Sequence, residues 1–283
     1  MKLIECPRDA MQGLEKFIPT SDKISYINQL LKVGFDAIDF GSFVSAKAIP
    51  QMRDTAEVLE QLEWHKSKSK LLAIVANTRG ALEASLHQGI TYLGFPLSVS
   101  ETFQQRNTNK SIAEAFHTVE EIQDICLKTN KKLVTYISMG FGNPYGDPYH
   151  IDLVNNFVDK LMALSVDIIS LADTVGVSTP ESITSLFRAL IRQYSGLEIG
   201  VHLHSNPVTA MEKIDAAFTA GCKRFDGALK GFGGCPMAND ELVGNLATET
   251  LLSFLDRKKI KTSIDLDEFN KALSMADKIF LNH

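Results

Sequence analysis

Short β-branched runs alternate with amphipathic segments along the whole chain, and this alternation restricts the fold more than any other feature. It is the pattern of repeated βα units that build a parallel sheet. Strands are predicted at 2–6, 37–40, 71–75, 92–95, 133–138, 167–171, 199–204 and 225–229, which makes eight. Helices are predicted between and after them at 22–32, 53–62, 80–88, 112–128, 152–164, 180–193, 208–220 and 241–255. Gly34, Gly89 and Gly221 stand where helices need C-caps, and Thr179 before Pro180 reads as an N-cap with proline at the first helical position.

Eight such units fit a (β/α)₈ TIM barrel, which takes about 250 residues, and the chain has 283. The expected fold is therefore α/β, one barrel domain over 1–283, with an additional helix at about 265–281 packed outside the completed cycle. An open doubly wound sheet is the alternative, but its first strand would lead into a glycine fingerprint, and here it leads into CPRDAMQG. No composition shift or Pro/Gly/Ser linker marks a second domain.

Apolar residues at 45% supply ample core, and a net charge of −5 favours neither nucleic acid nor an anionic membrane surface. No apolar run approaches the roughly 18 residues that span a bilayer, so a cytoplasmic protein is expected. Cys6, Cys126, Cys222 and Cys235 show no CxxC spacing and read as thiols.

In a barrel of this kind chemistry belongs at the C-terminal ends of the strands. Strand one ends in Arg8 and Asp9, an oxyanion stabiliser and a hard-cation ligand, or else simply a local ion pair. Strand seven ends in VHLHSN, where alternation puts His202 and His204 on one face; they could share a metal or only hydrogen-bond. After strand eight, Gly231, Gly233 and Gly234 precede Cys235 in a loop suited to act as a lid, or as a turn with an incidental thiol. Asn245 could offer a carbonyl oxygen or cap the next helix. Barrel closure makes strand eight neighbour strand one. Asp9, His202, His204 and Asn245 then form a mixed nitrogen and oxygen set suited to Mg²⁺ or Mn²⁺.

PRDAMQG, GSFVSAKAIPQM, SLADTVGVSTP, HLHSN, GFGGCPMA and GNLATE occur in this order from about Ile4 to about Glu249. Together they resemble the 3-hydroxy-3-methylglutaryl-CoA (HMG-CoA) lyases of the metal-dependent lyase and condensing-enzyme superfamily. The resemblance implies Asp9, His202, His204 and Asn245 as metal ligands, Arg8 as electrophile, Cys235 in proton transfer and Asp173 as a substrate-side acid or base. It implies Ser42 near the acyl chain, although GSFVSAKAIPQM could equally be a helix-leading loop. Asp39 stands where the family usually has Glu. Glu5 sits one residue closer to Arg8 than the family's acid and is set aside. The stretch from Cys235 to Asn245 is one residue longer than in the animal enzymes. Tyr136 could meet substrate at the mouth or be a buried structural tyrosine.

The implied reaction cleaves HMG-CoA to acetoacetate and acetyl-CoA, with an acyl-CoA as the partner molecule and a homodimer as the assembly. Asp39, Asp173 and His202 are the candidate bases for the tertiary hydroxyl. The rival readings are a condensing enzyme, a 2-oxo-acid aldolase and a non-catalytic barrel that binds a CoA ester. Condensing relatives usually carry a further regulatory domain and lack the GGCP loop. A mere binder has little use for a metal set beside a mobile thiol.

Overall fold

The computed structural model describes residues 1–234 and 243–280. Strand β1 (Lys2–Glu5) leads into α1 (Pro7–Gln12), and α2 (Thr20–Val33) leads to β2 (Ala37–Phe43). Next come α3 (Thr55–Glu60), β3 (Lys70–Val75), α4 (Thr78–Ser85), β4 (Ile90–Ser98), α5 (Glu101–Thr108), α6 (Ile112–Thr129) and β5 (Lys132–Ser138). The chain continues through α7 (Ile151–Ala163), β6 (Ile168–Asp173), α8 (Pro180–Gln193), β7 (Glu198–Leu203), α9 (Ala210–Thr219), β8 (Arg224–Gly227), α10 (Thr248–Arg257) and α11 (Leu266–Phe280). The eight strands close in sequence order into a barrel, and β1 pairs parallel with both β2 and β8. Among the described residues no helix is long and apolar enough to cross a membrane.

Each strand is covered outside by helices and filled inside by side chains, so strands are buried on both faces, as in Ala37–Phe43. Period-two alternation decides which residues share the interior. Leu72, Ile74, Val134, Tyr136 and Ile168 pack together there, and Ile4, Cys6 and Ala37 form a smaller group beside them. Glu5 is therefore on the outer face of β1, where its carboxylate accepts from the Leu229 NH (2.8 Å) and the Thr248 hydroxyl (2.6 Å). It ties β1 to the segments after β8.

Helix ends follow local chemistry. Thr179 caps α8 through the Ser182 NH, and the Ser182 hydroxyl accepts from the Thr179 NH. Gly34 ends α2 in the left-handed conformation, φ 92°. Gly89 is not a cap, because α4 stops at Ser85 and Leu86 closes it. Helix α11 lies against α2, with Phe280 edge-on to Tyr26 at 6.0 Å and the Gln29 amide donating to Glu268.

Two expectations change where the chain meets the site. Arg8 and Asp9 are on the short helix α1, started by Pro7, rather than on strand β1. Of the helix expected at 241–255, residues 241 and 242 lie outside the described residues, and Val243–Ala247 is not helical; α10 begins at Thr248. Asn245 bridges antiparallel to His204 and Ala247 bridges to Ala228. The Ser205 NH donates to the Gly244 carbonyl (2.9 Å) and the Leu246 NH to that of Leu203 (3.0 Å). Backbone pairing carries this segment across the ends of β7 and β8.

Candidate active site

At the C-terminal mouth of the barrel a cavity of about 210 Å³ is lined on one side by Arg8, Asp9, Gln12, His202 and His204. Its other side is apolar, with Ile74, Pro96, Phe103 and the loop residues Val44 and Ile49. A charged wall facing an apolar one suits a ligand with an anionic head and a greasy stem.

Arg8 is gripped by two carboxylates. Its Nε donates to Asp39 Oδ1 and Oδ2 at 3.2 and 3.0 Å, Nη2 to Asp39 Oδ2 at 2.5 Å, and Nη1 to Asp9 Oδ1 at 3.0 Å. Gln12, one helical turn on, accepts from Arg8 (2.8 Å) and donates to Asp9 (2.9 Å). Burial pushes the Asp9 carboxyl upward, but Arg8, His202, His204 and the Asn245 amide outweigh it and bring Asp9 down to about 2. Asp39 is buried more completely, and burial wins there in spite of Arg8, raising it to about 6. Burial disfavours the Arg8 cation, yet the two carboxylates hold its affinity for the proton above the ordinary value.

Asp9, His202 and His204 can each present one ligand atom within 4.8 Å of the others. The His204 Nδ1 lies 2.9 Å from the Thr174 carbonyl, so Nδ1 carries the proton and donates. Its Nε2 is then the acceptor, and among the described residues it is buried without a hydrogen-bond partner, the state of a ring nitrogen that a cation would complete. The Asn245 amide nitrogen donates to Asp9 Oδ2 (2.6 Å) and to the Phe232 carbonyl (2.9 Å), which fixes the amide orientation and leaves Oδ1 as a further oxygen ligand. A Cβ at Gly233, φ 95°, would come within 2.7 Å of the Asp9 carbonyl and the Asn245 amide nitrogen, so only glycine lets this backbone approach so closely.

A second set, Cys6, His202 and Asp226, also meets the distance condition. Cys6 is fully buried, and burial together with the surrounding acids raises its thiol well above the usual value. It stays protonated and is a poor ligand. Asp226 has a different relation to the site. It lies opposite His202 in the β7–β8 register, with Oδ2 3.4 Å from Nδ1. Burial lowers the affinity of His202 for a proton, but Asp226 and Asp9 raise it above the ordinary value. His204 is held below its ordinary value by burial and by the charge of His202, which outweigh Asp9.

The remaining expected residues do not all reach the cavity. Tyr136 does: it lines the wall, stands edge-on to His202 at 5.9 Å, and its buried hydroxyl has no partner among the described residues. Ser42 lines instead a neighbouring cavity of about 330 Å³, together with Arg53, Asn77 and Arg79. Asp39 meets the cavity only through Arg8. Asp173 follows Ala172 on β6 and so faces the other way; it accepts from the Ser178 NH, the Ser178 hydroxyl (2.5 Å) and Lys213 Nζ (3.1 Å). Cys235 lies outside the described residues. The other three cysteines are buried free thiols.

Sequence reasoning missed Gln12, Thr174, Lys213 and Asp226. Asp226 could have been found from alternation on a strand adjacent to His202. Gln12 could have been found only by reading PRDAMQ as a helix, and Lys213 and Thr174 carry no local signal.

The HMGL-like family model matches residues 3–276. The hydroxymethylglutaryl-CoA lyase YngG of Bacillus subtilis is 34% identical over 266 residues, covering 94% of this chain and 88% of that protein. The cytoplasmic 3-hydroxy-3-methylglutaryl-CoA lyase of Rattus norvegicus is 32% identical over 273 residues, covering 96% and 79%. An HMG-CoA lyase from Acinetobacter baumannii, solved in complex with coenzyme A and 3-methylmalate, matches with a TM-score of 0.92 at 31% identity, over 99% of this chain and 90% of that one. With matches that run almost the full length and a closed barrel of the same shape, the chain belongs to the HMGL-like family of divalent-metal-dependent enzymes.

Proposed function

We propose that this protein cleaves HMG-CoA to acetoacetate and acetyl-CoA with Mg²⁺ or Mn²⁺ held by Asp9, His202, His204 and Asn245. The observation that carries the reading is the orphaned Nε2 of His204, buried beside an ionised Asp9 at the wall of the cavity. Oxygen and imidazole donors without a thiolate suit a hard or borderline divalent ion. When bound, such an ion supplies Lewis acidity, lowering the affinity of the C3 hydroxyl for its proton.

The rest falls to the side chains. Arg8 is pre-oriented by Asp39 and Asp9, so its guanidinium can stabilise a thioester enolate without reorganising. An imidazole cannot give one lone pair to a cation and to a proton together, and Asp9 is too weak a base. That leaves Asp39, raised to about 6 and so matched to neutral pH, as the acceptor; it stands one layer behind Arg8, so the hydroxyl proton would reach it by way of a water beside Arg8. Asp173, engaged by Ser178 and Lys213, serves the scaffold. Cys235 returns a proton to the enolate carbon, a role that rests on the GGCPMA resemblance. Tyr136 and the apolar wall hold the acyl portion, and the nearby Ser42 contributes from the adjoining cavity.

The test is direct. Protein stripped with a chelator and reloaded with Mg²⁺ or Mn²⁺ is incubated with HMG-CoA, and acetoacetate and acetyl-CoA are quantified. Equal amounts of the two products, formed only after reloading, are expected; intact substrate with reloaded protein would reject the reading.

A further inference from the structure

Lys213 is a cation buried to 4% exposure outside the cavity, and nothing in the chemistry described so far uses it. A buried ammonium is expensive unless its donors are all engaged. It has three donors, and here three acceptors surround it: Asp173 Oδ2 at 3.1 Å, the Gly176 carbonyl at 3.1 Å and the His204 carbonyl at 3.3 Å. These acceptors sit on the end of β6, on the loop after it, and just beyond the end of β7. One side chain on α9 thus ties together two neighbouring strand ends.

What makes this tie specific is where His204 sits. Its main-chain carbonyl is held by Lys213 directly, and its ring is held by the Thr174 carbonyl, which belongs to the same 173–176 segment that Lys213 anchors. Thr174 is fixed a second time, its hydroxyl accepting from the Met139 NH at the end of β5 (2.9 Å). Lys213 therefore governs both the backbone position of His204 and the partner that sets its ring tautomer. The free Nε2 inherits its direction from that clamp. His202 Nδ1 is backed by a carboxylate on the neighbouring strand, Asp226, whereas His204 Nδ1 is backed by the Thr174 carbonyl, so its aim depends on how that carbonyl is held.

We infer that Lys213 is a positioning residue for the metal ligand His204, acting from the first turns of α9 through the His204 carbonyl and the Asp173–Gly176 segment, with Asp173 as its counter-ion. The inference rests on the reading of His204 as a metal ligand.

The test measures Mn²⁺ affinity by calorimetry on the chelator-stripped full chain, with no acyl-CoA present, alongside thermal stability and steady-state kinetics. Lys213→Met should bind Mn²⁺ roughly tenfold more weakly, the scale of losing a group that orients a ligand. Raising Mn²⁺ to saturation should restore most of its kcat with the KM for acyl-CoA unchanged. Because Lys213→Met leaves the Asp173 carboxylate buried and unpaired, the double variant Asp173→Asn/Lys213→Met removes that charge and keeps the site foldable. It should show the same weakened Mn²⁺ binding. Lys213→Arg, which keeps the charge and donors, should recover part of the affinity. A fall in melting temperature with Mn²⁺ affinity within about twofold of wild type, in either the single or the double variant, would overturn the inference and leave Lys213 a stabilising residue only. Wild-type protein that takes up no Mn²⁺ would overturn the metal reading itself, and the inference with it.

Discussion

Glu5 and Asp39 are both buried carboxyls raised above their ordinary values, and they make opposite predictions because one faces outward and the other faces Arg8. Burial raises Glu5 from 4.5 to about 8 even though Thr248 and Leu229 donate to it. The folded state therefore holds this proton more tightly than the unfolded chain does. Its stabilising contribution is complete below about pH 4.5 and is lost as pH rises toward about 8. Glu5→Gln, which mimics the protonated acid, should match wild type near about pH 5 and be more stable by on the order of 1–3 kcal/mol near about pH 8.5. Parallel melting curves for the two proteins across that range would show that Glu5 is not held protonated. Asp39 has to be ionised to accept a proton, and burial raises it to about 6. Accordingly kcat/KM should fall as pH drops through about 6, and Asp39→Asn should lose roughly 10²- to 10⁴-fold in kcat and that acidic limb with it. A full rate in Asp39→Asn would remove it from the chemistry. Residue placement was readable in sequence where alternation governs it, as for His202 and His204 on β7. The same alternation turns Asp173, which the family resemblance puts on the substrate side, away from Ala172 and toward Ser178 and Lys213.

At the scale of elements, the long amphipathic helices were legible because many residues vote for one period. The one at 180–193 matches α8 end to end, and within the one expected at about 265–281 the described residues 266–280 form α11. The short helices α1 and α5 were not, although the equally short α3 and α4 overlap the expected helices at 53–62 and 80–88. Six residues of α1 and eight of α5 give too few turns for periodicity, and α1 is set by Pro7 and by its hydrogen bonds to β2 rather than by any apolar stripe. The segment at 243–247 was read as the start of a helix because its partners, Leu203, Ser205 and Ala228, are distant in sequence. The cap on α8 provides an element-scale prediction. Thr179→Ala removes the hydroxyl that accepts from the Ser182 NH and should cost about 1 kcal/mol in denaturant unfolding. Mn²⁺ affinity should be unchanged, since α8 reaches the site only through the loop before it. A loss of metal binding in this variant would mean that the 173–179 loop is set by the helix rather than by Lys213.

Across the whole molecule, the count of eight βα units made the barrel legible, and closure of the barrel explains the site. Asp9 follows β1, Asn245 follows β8 and the histidines end β7, so three places far apart in sequence become neighbours only when β8 pairs with β1. The ligand set could be guessed from residue types at strand ends, but the interior ladder from Glu198 through Arg224 and Asp226 to His202 could not, because it exists only across the closed sheet. On the proposed function this cluster, rather than the buried Cys6 set, holds the ion that cleavage needs. The decisive measurement is bound Mn²⁺ and HMG-CoA turnover determined on the same sample of His204→Ala. A folded protein in which both are lost together is expected, whereas a His204→Ala protein that retains wild-type turnover without bound metal would contradict this ligand assignment.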